Sequence, residues 1–195
     1  MAAVEPSRRW VKPTIEGEMV TLRPVTVDDA DALLEMVNDP ENKDLTHTTA
    51  TFDLVPRTLA EQQEWLQARS GAFAAIVAVD EPPAPGVADV RGGPVVGFGS
   101  LSPYKERAAY RTSVEDSVYV RRDRPRQGIG RLLLTALLDV ASSSGFHTVF
   151  ARIEASGAAS RALHARCGFD LVGVERETGR KFNKWLDVAL MQRLL

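Results

Sequence analysis

A basic loop that contains two glycines joins a β-rich run to an apolar periodic segment. The stretch from Arg121 to Gly145 reads RRDRPRQGIGRLLLTALLDVASSSG, and the β-rich run VEDSVYV precedes it. Glycine lets backbone N–H groups approach an anion closely, and a helix N-terminus adds unpaired donors and partial positive charge. The segment QGIGR at residues 127–131 is therefore a candidate anion cradle, to which Arg126 and Arg131 add charged contacts.

Two well-known nucleotide-binding patterns do not fit this loop. A Walker A loop continues with Gly-Lys-Ser/Thr, and the dinucleotide fingerprint reads Gly-x-Gly-x-x-Gly with an acidic residue on a following strand. The sequence has neither. From the pattern alone, a plain strand-to-helix turn with solvated arginines stays an alternative. Arg121, Arg122 and Arg124 are expected to be charges on the rim of the loop.

Helix and strand patterns on both sides of the loop indicate the elements that must position it. Thr26 precedes one apolar-periodic segment, and Thr58 with Glu61 forms a capping box before another. Strands precede helices early in the chain and alternate with them later. We therefore predict an α/β (mixed α+β) fold in which a mixed sheet carries helices on both faces. The predicted strands are 19–25, 73–79, 94–102, 114–120, 146–153 and two more before Leu195; the predicted helices start at 26, 58, 129 and 158.

Composition and charge exclude several classes of protein. The chain has 195 residues and a formal net charge of −2, so it lacks the basic surface that nucleic-acid binding requires. Cys167 is the only cysteine, which excludes an internal disulfide and a cysteine-cluster metal site and is compatible with a reducing cytoplasm. No apolar run approaches the roughly 18 residues of a membrane span. We expect residues 1–17 to form a tail, loose or docked through Trp10, and residues 18–195 to form a single domain of a cytoplasmic protein.

Two motifs resemble the GCN5-related N-acetyltransferase (GNAT) superfamily. They are SVYVRRDRPRQGIGRLLLTALL and, further along, SRALHARCGF. In that superfamily the loop pattern Arg/Gln-x-x-Gly-x-Gly/Ala binds the pyrophosphate of acetyl-CoA. The segments YKERAAYRTSVEDSVYV and KFNKWLDVALMQ are similar to one branch, the phosphinothricin and methionine sulfoximine N-acetyltransferases. The segment IEGEMVTLRPVTVDDADAL is similar also to ribosomal-protein N-terminal acetyltransferases.

The resemblance implies a central mixed, largely antiparallel twisted sheet of about seven strands with helices on both faces. It also implies an enzyme that moves an acetyl group directly from acetyl-CoA to an amine, without a metal. The implied acceptor is a small molecule, a glutamate-like amino acid such as phosphinothricin or methionine sulfoximine. Two alternatives stay open: a peptide or ribosomal-protein N-terminal acetyltransferase, and a non-catalytic acyl-CoA-binding module. A homodimer is implied as well, and no nucleic-acid or membrane partner is expected.

Acetyl transfer from a thioester to an amine needs a base for the amine, donors for the developing oxyanion, a proton for the thiolate and near-attack geometry. The resemblance places Glu115 at the position of the base. Asp116 is its neighbour, but successive residues of a strand point to opposite faces, so Glu115 is preferred. His164 lies where relatives carry a general acid, and an imidazole can donate a proton near neutral pH. His47 and His147 have no such context and are expected to be structural.

The resemblance also implies two binding regions. The main chain of the strand before the loop is expected to pair with the pantetheine arm, and the loop is expected to bind the pyrophosphate. A basic-aromatic cluster ahead of the base is expected to grip the acceptor's carboxylate, since guanidinium groups bind carboxylates bidentately. The cofactor-binding residues are Val118, Tyr119, Val120, Arg126, Gln127, Gly128, Ile129, Gly130, Arg131 and Ser160; the acceptor-binding residues are Lys105, Arg107 and Tyr110.

Three positions depart from the family pattern. Pro125 takes the place of the Arg or Gln that starts the loop pattern, and it lacks an N–H donor. Gly157 takes the place of an Asn that helps hold the pantetheine arm, and Leu186 takes the place of a His in the C-terminal signature. These departures predict a cofactor site with fewer contacts and an acceptor pocket that differs from those of phosphinothricin enzymes. Trp185 is expected at a dimer interface or in the pocket wall.

Overall fold

In the part of the chain that the structure describes, apolar strands and capped helices assemble into one eight-stranded sheet with helices on both faces. The computed structural model describes residues 10–13, 19–38, 52–69, 72–80 and 93–195. The strands are β1 (Trp10–Pro13), β2 (Met19–Pro24), β3 (Ala75–Asp80), β4 (Val95–Pro103), β5 (Ser113–Val120), β6 (Thr148–Glu154), β7 (Asp170–Lys181) and β8 (Lys184–Leu194). The helices are α1 (Ala30–Asn38), α2 (Leu59–Gln67), α3 (Ile129–Ser143) and α4 (Ala158–Arg166).

The strand order across the sheet is β1-β2-β3-β4-β5-β6-β8-β7. Every neighbouring pair is antiparallel except β5 and β6, which run parallel. The connection between these two strands runs through α3, because parallel neighbours need a long crossover. The predicted mixed, largely antiparallel sheet with helices on both faces is therefore confirmed.

The sequence pattern does not predict β1, which lies within the segment expected to be a tail. Trp10–Pro13 pairs antiparallel with β2, with Trp10 opposite Leu22, so this segment adds an eighth strand at the edge of the sheet. Four residues are too few to show a clear alternation, and Pro13 is tolerated because an edge strand has one unpaired side. His47, expected to be structural, lies outside the described residues.

Side chains of the central strands alternate between the two helical layers. Ile76 and Ala78 of β3 face the layer of α3 and α4, whereas Val77 and Val79 face the layer of α1 and α2. All four are at most 1% exposed, as expected for a strand that is covered on both faces. Each large apolar side chain buried in this way contributes about 1.5–3 kcal/mol, so the two layers hold the middle of the sheet in place.

A buried ion pair fixes the start of α1. Asp29 accepts hydrogen bonds from the Arg23 guanidinium at 2.7 and 2.8 Å and from the backbone N–H of Thr26 at 2.7 Å. Burial works to raise the pKa of Asp29, but the hydrogen bonds and charge of Arg23, with the Thr26 contacts, hold the pKa below its ordinary value. The end of β2 is thereby tied to the helix that follows it.

The described part of the chain lacks two kinds of feature. None of its helices combines the length and apolar character needed to cross a membrane. Within the same residues, no group of three or more His, Cys, Asp or Glu side chains is arranged to hold a metal ion.

Candidate active site

The two parallel strands at the centre of the sheet separate after a short ladder. β5 and β6 pair only over residues 113–115 and 148–150, although both strands continue for several residues. Beyond this ladder, the edge of β5 that faces β6 has no strand partner among the described residues. Residues 116–120 and 151–154 therefore border an opening in the sheet, the β5–β6 gap.

Backbone donors and acceptors of β5 point into the β5–β6 gap. The N–H of Arg121 donates to the carbonyl of Val96 on β4 at 3.0 Å. Because successive residues of a strand direct their N–H and C=O groups to opposite edges, Val120 and Val118 direct theirs away from β4 and into the gap. An extended ligand can pair with such an edge as an added strand does.

The loop after β5 presents the free donors of a helix N-terminus. Gly128 caps α3 with a φ of 84°, a left-handed conformation that glycine adopts without strain. The N–H groups of the first helical turn, which begins at Ile129, have no carbonyl partner within the helix. The predicted anion cradle is thus made of backbone groups, and the side chains of Arg126 and Arg131 are exposed beside it.

Gly130 lets α3, α4 and β5 meet at the edge of the β5–β6 gap. A Cβ atom at this position would lie 3.2 Å from Leu163 on α4 and 3.6 Å from Val120 on β5. A side chain here would crowd Leu163, whereas its contact with Val120 would be an ordinary one. Glycine therefore lets α3 and α4 pack closely where the gap opens.

Arg124 braces the loop instead of lying on its rim. Its guanidinium donates to the carboxylate of Asp80 at the end of β3 and to the side-chain oxygen of Gln127, both at 2.7 Å. The expectation of a rim charge is therefore wrong for Arg124, because its guanidinium pairs with Asp80, 44 residues away in the chain. Arg121 forms an exposed ion pair with Asp123.

The two predicted catalytic side chains lie on opposite faces of the sheet. Glu115 faces the layer of α1 and α2, as does Tyr119, which stacks on Phe98 in that layer. His164 on α4 lies against the other face, where Asp116 contacts it. The expectation that Glu115 and Asp116 point to different faces is confirmed. The structure does not bring Glu115 and His164 together, and it pairs His164 with the carboxylate that the sequence reasoning set aside.

His164 and Asp116 form a buried hydrogen-bonded pair. Nε2 of His164 lies 3.0 Å from Oδ2 of Asp116, and the Nδ1–H donates to the carbonyl of Ser160 at 2.7 Å. The two side chains are 5% and 1% exposed, and Oδ1 of Asp116 is buried without a hydrogen-bond partner in the described part of the chain. A carbonyl oxygen only accepts, so Nδ1 carries a proton. The contact between Nε2 and Oδ2 needs a second proton, which the pair shares.

The surroundings of His164 favour its protonated form. Burial works to lower the pKa of the imidazole, but the hydrogen bond and charge of Asp116, together with the carbonyl of Ser160, raise the pKa above its ordinary value. No local pattern identifies Asp116 as the partner. The two residues are 48 positions apart and meet only because α4 packs against β5.

Glu115 lies on a polar part of its face, beside the β5–β6 gap. Its register partners are Ser102 on β4 and Phe150 on β6, and it is the last residue of β5 in the parallel ladder. Burial raises the pKa of Glu115, and Arg152 on β6 counteracts only part of that effect. A carboxyl group with a raised pKa is a stronger base near neutral pH than an exposed glutamate.

The predicted acceptor-binding cluster is partly assembled beside the predicted base. Tyr104 stacks on Phe150 with ring centroids 4.0 Å apart. The Lys105 ammonium lies 4.8 Å from the centre of the Tyr104 ring and 5.2 Å from that of Tyr110, within the range of cation–π attraction. Lys105 and Tyr110 are therefore held close to the face that carries the base. Arg107 is exposed at the start of a short 3-10 turn.

Gly157 begins α4 in a turn that leaves little space for a side chain. Its N–H donates to the carbonyl of Glu154 at 2.8 Å, and a Cβ atom would lie 3.0 Å from that oxygen. The Asn of the family pattern would require this turn to shift. Ser160, a predicted cofactor contact, engages His164 through its carbonyl.

Proteins with a matching sequence and fold are acetyltransferases. The profile of the Acetyltransferase (GNAT) family matches residues 44–169. An L-methionine sulfoximine/L-methionine sulfone acetyltransferase of Pseudomonas paraeruginosa is 36% identical over 172 residues, 88% of this chain and 92% of that protein.

Solved structures with the same fold are acetyltransferases as well. A phosphinothricin acetyltransferase from Sinorhizobium meliloti, solved in complex with acetyl-CoA, has a TM-score of 0.79 and 33% sequence identity; the match covers 90% of this chain and 88% of that protein's chain. A ribosomal-protein-alanine N-acetyltransferase from Brucella melitensis has a TM-score of 0.77 and 34% identity and covers 89% of this chain and 99% of its own.

The fold and the site define this chain as an N-acetyltransferase. The chain belongs to the GNAT family of acetyltransferases. The resemblance seen in the glycine loop and in the motif around His164 is thereby confirmed, and so is the expectation of an N-acetyltransferase.

Removal of Asp116 is expected to destabilise the fold most at acidic pH. The raised pKa of His164 stabilises the folded state fully below the ordinary histidine value of about 6.5, and this contribution is lost as pH rises through the raised value. Asp116→Ala should therefore cost about 3 kcal/mol below pH ~6.5 and less at alkaline pH. Urea unfolding across pH measures this difference, with the exposed Asp139→Ala as the control. A cost that grows with rising pH would contradict the assignment.

Proposed function

We propose that the protein transfers the acetyl group of acetyl-CoA to the α-amine of a small glutamate-like amino acid, with phosphinothricin and methionine sulfoximine as the expected acceptors. The observation that carries this proposal is the position of Glu115, a half-buried carboxyl group at the point where β5 and β6 separate. A base at this position lies beside the opening in which the cofactor is expected. The names of two similar proteins, acetyltransferases of methionine sulfoximine and of phosphinothricin, support the choice of acceptor.

The β5–β6 gap and the loop that follows β5 fit acetyl-CoA. The backbone groups of Val118 and Val120 that face the gap match the amides of a pantetheine arm. The free N–H groups of residues 128–131 match a pyrophosphate, with Arg126 and Arg131 as charged neighbours. When bound, acetyl-CoA supplies an acetyl group activated as a thioester. The solved phosphinothricin acetyltransferase with acetyl-CoA supports this assignment.

We propose Glu115 as the group that accepts the proton of the acceptor's ammonium, directly or through a water, because only the free amine is nucleophilic. The raised pKa of Glu115 brings its proton affinity closer to neutral pH. The register partners Ser102 and Phe150 hold the strand backbone on both sides of this residue. The base is therefore fixed by two ladders at the rim of the gap.

We propose His164 as the source of the proton for the departing thiolate, with one structural requirement. Both of its ring nitrogens are engaged, by Ser160 and by Asp116. Donation from Nε2 therefore requires the contact with Asp116 to open. Asp116 favours the protonated imidazole until then, because its hydrogen bond and charge raise the pKa of His164 against the effect of burial.

Glu115→Gln is expected to remove the base while keeping its size. Turnover should fall by about 10²–10⁴, whereas acetyl-CoA binding, measured by calorimetry, should stay unchanged. In the wild type, kcat/KM should fall on acidification around a pKa above the ordinary glutamate value of about 4.3, because burial raises the pKa of Glu115. The variant should lack this acidic limb. Glu35→Gln, an exposed substitution on α1, is the control, and unchanged turnover in Glu115→Gln would rule out its role as the base.

A panel of acceptors tests the substrate class. Free thiol released from acetyl-CoA is measured with phosphinothricin, methionine sulfoximine, peptides that begin with alanine, and polyamines. We expect the highest kcat/KM with the two glutamate-like amino acids, because Lys105 and Tyr110 lie beside the face of Glu115. Preference for the peptides would favour the activity named for the Brucella melitensis protein. Acetyl-CoA binding without thiol release from any amine would favour a non-catalytic module.

We also propose a homodimer that forms through β7. This strand lies at one end of the sheet, and Leu171, Val172 and Val174 on it are 50%, 54% and 48% exposed. An edge strand with exposed apolar side chains favours pairing with a second copy. Val172→Lys should yield a monomer in sedimentation experiments, while Ser142→Lys on the exposed side of α3 should not. A wild-type chain that sediments as a monomer would contradict the proposal.

A further inference from the structure

Arg152 on β6 lies next to Glu115 but is absent from the predicted acceptor cluster. It is two residues beyond Phe150, the register partner of Glu115, so its side chain lies on the same face of the sheet. It also lies where β5 and β6 have already separated, with its side chain 35% exposed. The guanidinium is thus accessible beside the base and at the border of the β5–β6 gap.

Glu175 on β7 holds Arg152 in place. Nη2 of Arg152 donates to Oε2 of Glu175 at 2.6 Å, and the Glu175 side chain is 42% exposed. Exposed pairs of this kind contribute little to stability. A guanidinium has five N–H donors, and within the described part of the chain the bond to Glu175 is the one hydrogen bond that the Arg152 side chain makes. The pair is therefore better suited to orient a cation with spare donors than to hold the fold together.

The charges around Glu115 come from three strands and from the segment that follows α2. Asp116 neighbours it on its own strand, Arg152 comes from β6 and Glu175 from β7; Arg152 lowers the pKa of Glu115, and the two carboxylates raise it. Arg69, two residues beyond the end of α2, donates to Ser102, the register partner of Glu115 on β4, at 2.8 Å.

The Lys105 ammonium lies further along the same face, over the rings of Tyr104 and Tyr110. Tyr104 in turn stacks on Phe150, the register partner of Glu115. Of these two cations, Arg152 is the one whose charge acts on Glu115.

We propose that Arg152, oriented by Glu175, is a specificity-determining residue that binds the α-carboxylate of the acceptor while the adjacent amine faces Glu115. This proposal rests on the proposed function. An α-amino acid carries its carboxylate one carbon from the amine, so the group that binds the carboxylate must lie beside the base. The planar guanidinium fork matches a carboxylate bidentately. The Lys105 ammonium, over the Tyr104 ring that stacks on Phe150, is left for the distal acidic group of a glutamate-like acceptor.

The test compares two acceptors that differ only in the α-carboxylate. L-Phosphinothricin carries it, and 3-aminopropyl(methyl)phosphinic acid lacks it. Arg152→Gln should raise KM for phosphinothricin by about tenfold or more, the loss of a charge-assisted bidentate contact, and should change KM for the decarboxylated amine far less. Arg176→Gln is the matched control, since Arg176 is an exposed arginine next to Glu175 and on the other face of β7.

The outcomes separate this inference from the proposed function. Equal losses with both acceptors, or no loss with phosphinothricin, would overturn the role of Arg152 and leave the proposed function standing. A wild-type enzyme that acetylates only amines without a carboxylate would overturn both.

The pH profile provides a readout that a merely structural pair would not move. Arg152→Gln removes a positive charge near Glu115, so its pKa should rise and the acidic limb of kcat/KM should shift to higher pH. Glu175→Gln removes a negative charge, so the limb should shift to lower pH. Both substitutions break the same ion pair. Shifts in the same direction would show that only the loss of that pair matters and would overturn the inference.

Discussion

The site depends on the separation of β5 from β6 after three residue pairs. On its other edge, β5 is paired with β4 over seven residues, and β6 is paired with β8 over seven. Each strand is therefore held firmly by the half of the sheet to which it belongs. Between the halves, backbone groups of β5 stay without a ladder partner, and buried backbone polar groups require one. An extended ligand with amide groups can satisfy that requirement, so the opening in the sheet is where the proposed cofactor would pair with β5.

Alternation along β5 gives this single strand two chemical roles. Glu115 and Asp116 are neighbours in the chain but face opposite layers of the fold. Burial raises the pKa of Glu115, and among the nearby charges only Arg152 opposes that effect. Burial works to lower the pKa of His164, but the hydrogen bond and charge of Asp116 together with the carbonyl of Ser160 raise it. Two groups with raised pKa values therefore lie near the end of one short ladder, Glu115 on one face of the sheet and His164 on the other.

Polar contacts between distant segments position the loop and the helices around this opening. Arg124 ties the glycine loop to Asp80 of β3, and Arg23 ties β2 to Asp29 at the start of α1. Gly130 permits α3 and α4 to approach the end of β5. The backbone donors of the loop can act as a cradle because these contacts hold the helix N-terminus beside the β5–β6 gap. The arginines of the loop thus contribute as much by bracing it as by their charge.

Local sequence patterns predict the order of seven strands and four helices in the described part of the chain, the glycine loop and the family. These features depend on interactions within a few residues: apolar periodicity, the Thr58–Glu61 cap and the left-handed turn at Gly128. Three pairings follow only from the tertiary structure. Asp116 contacts His164, Arg124 forms an ion pair with Asp80, and Arg152 lies on the same face as Glu115 near the end of the β5–β6 ladder. Each of these pairings joins different strands or helices, so it depends on strand order and register across the sheet. Local sequence patterns do not predict that register, because it is set by the packing of the whole core.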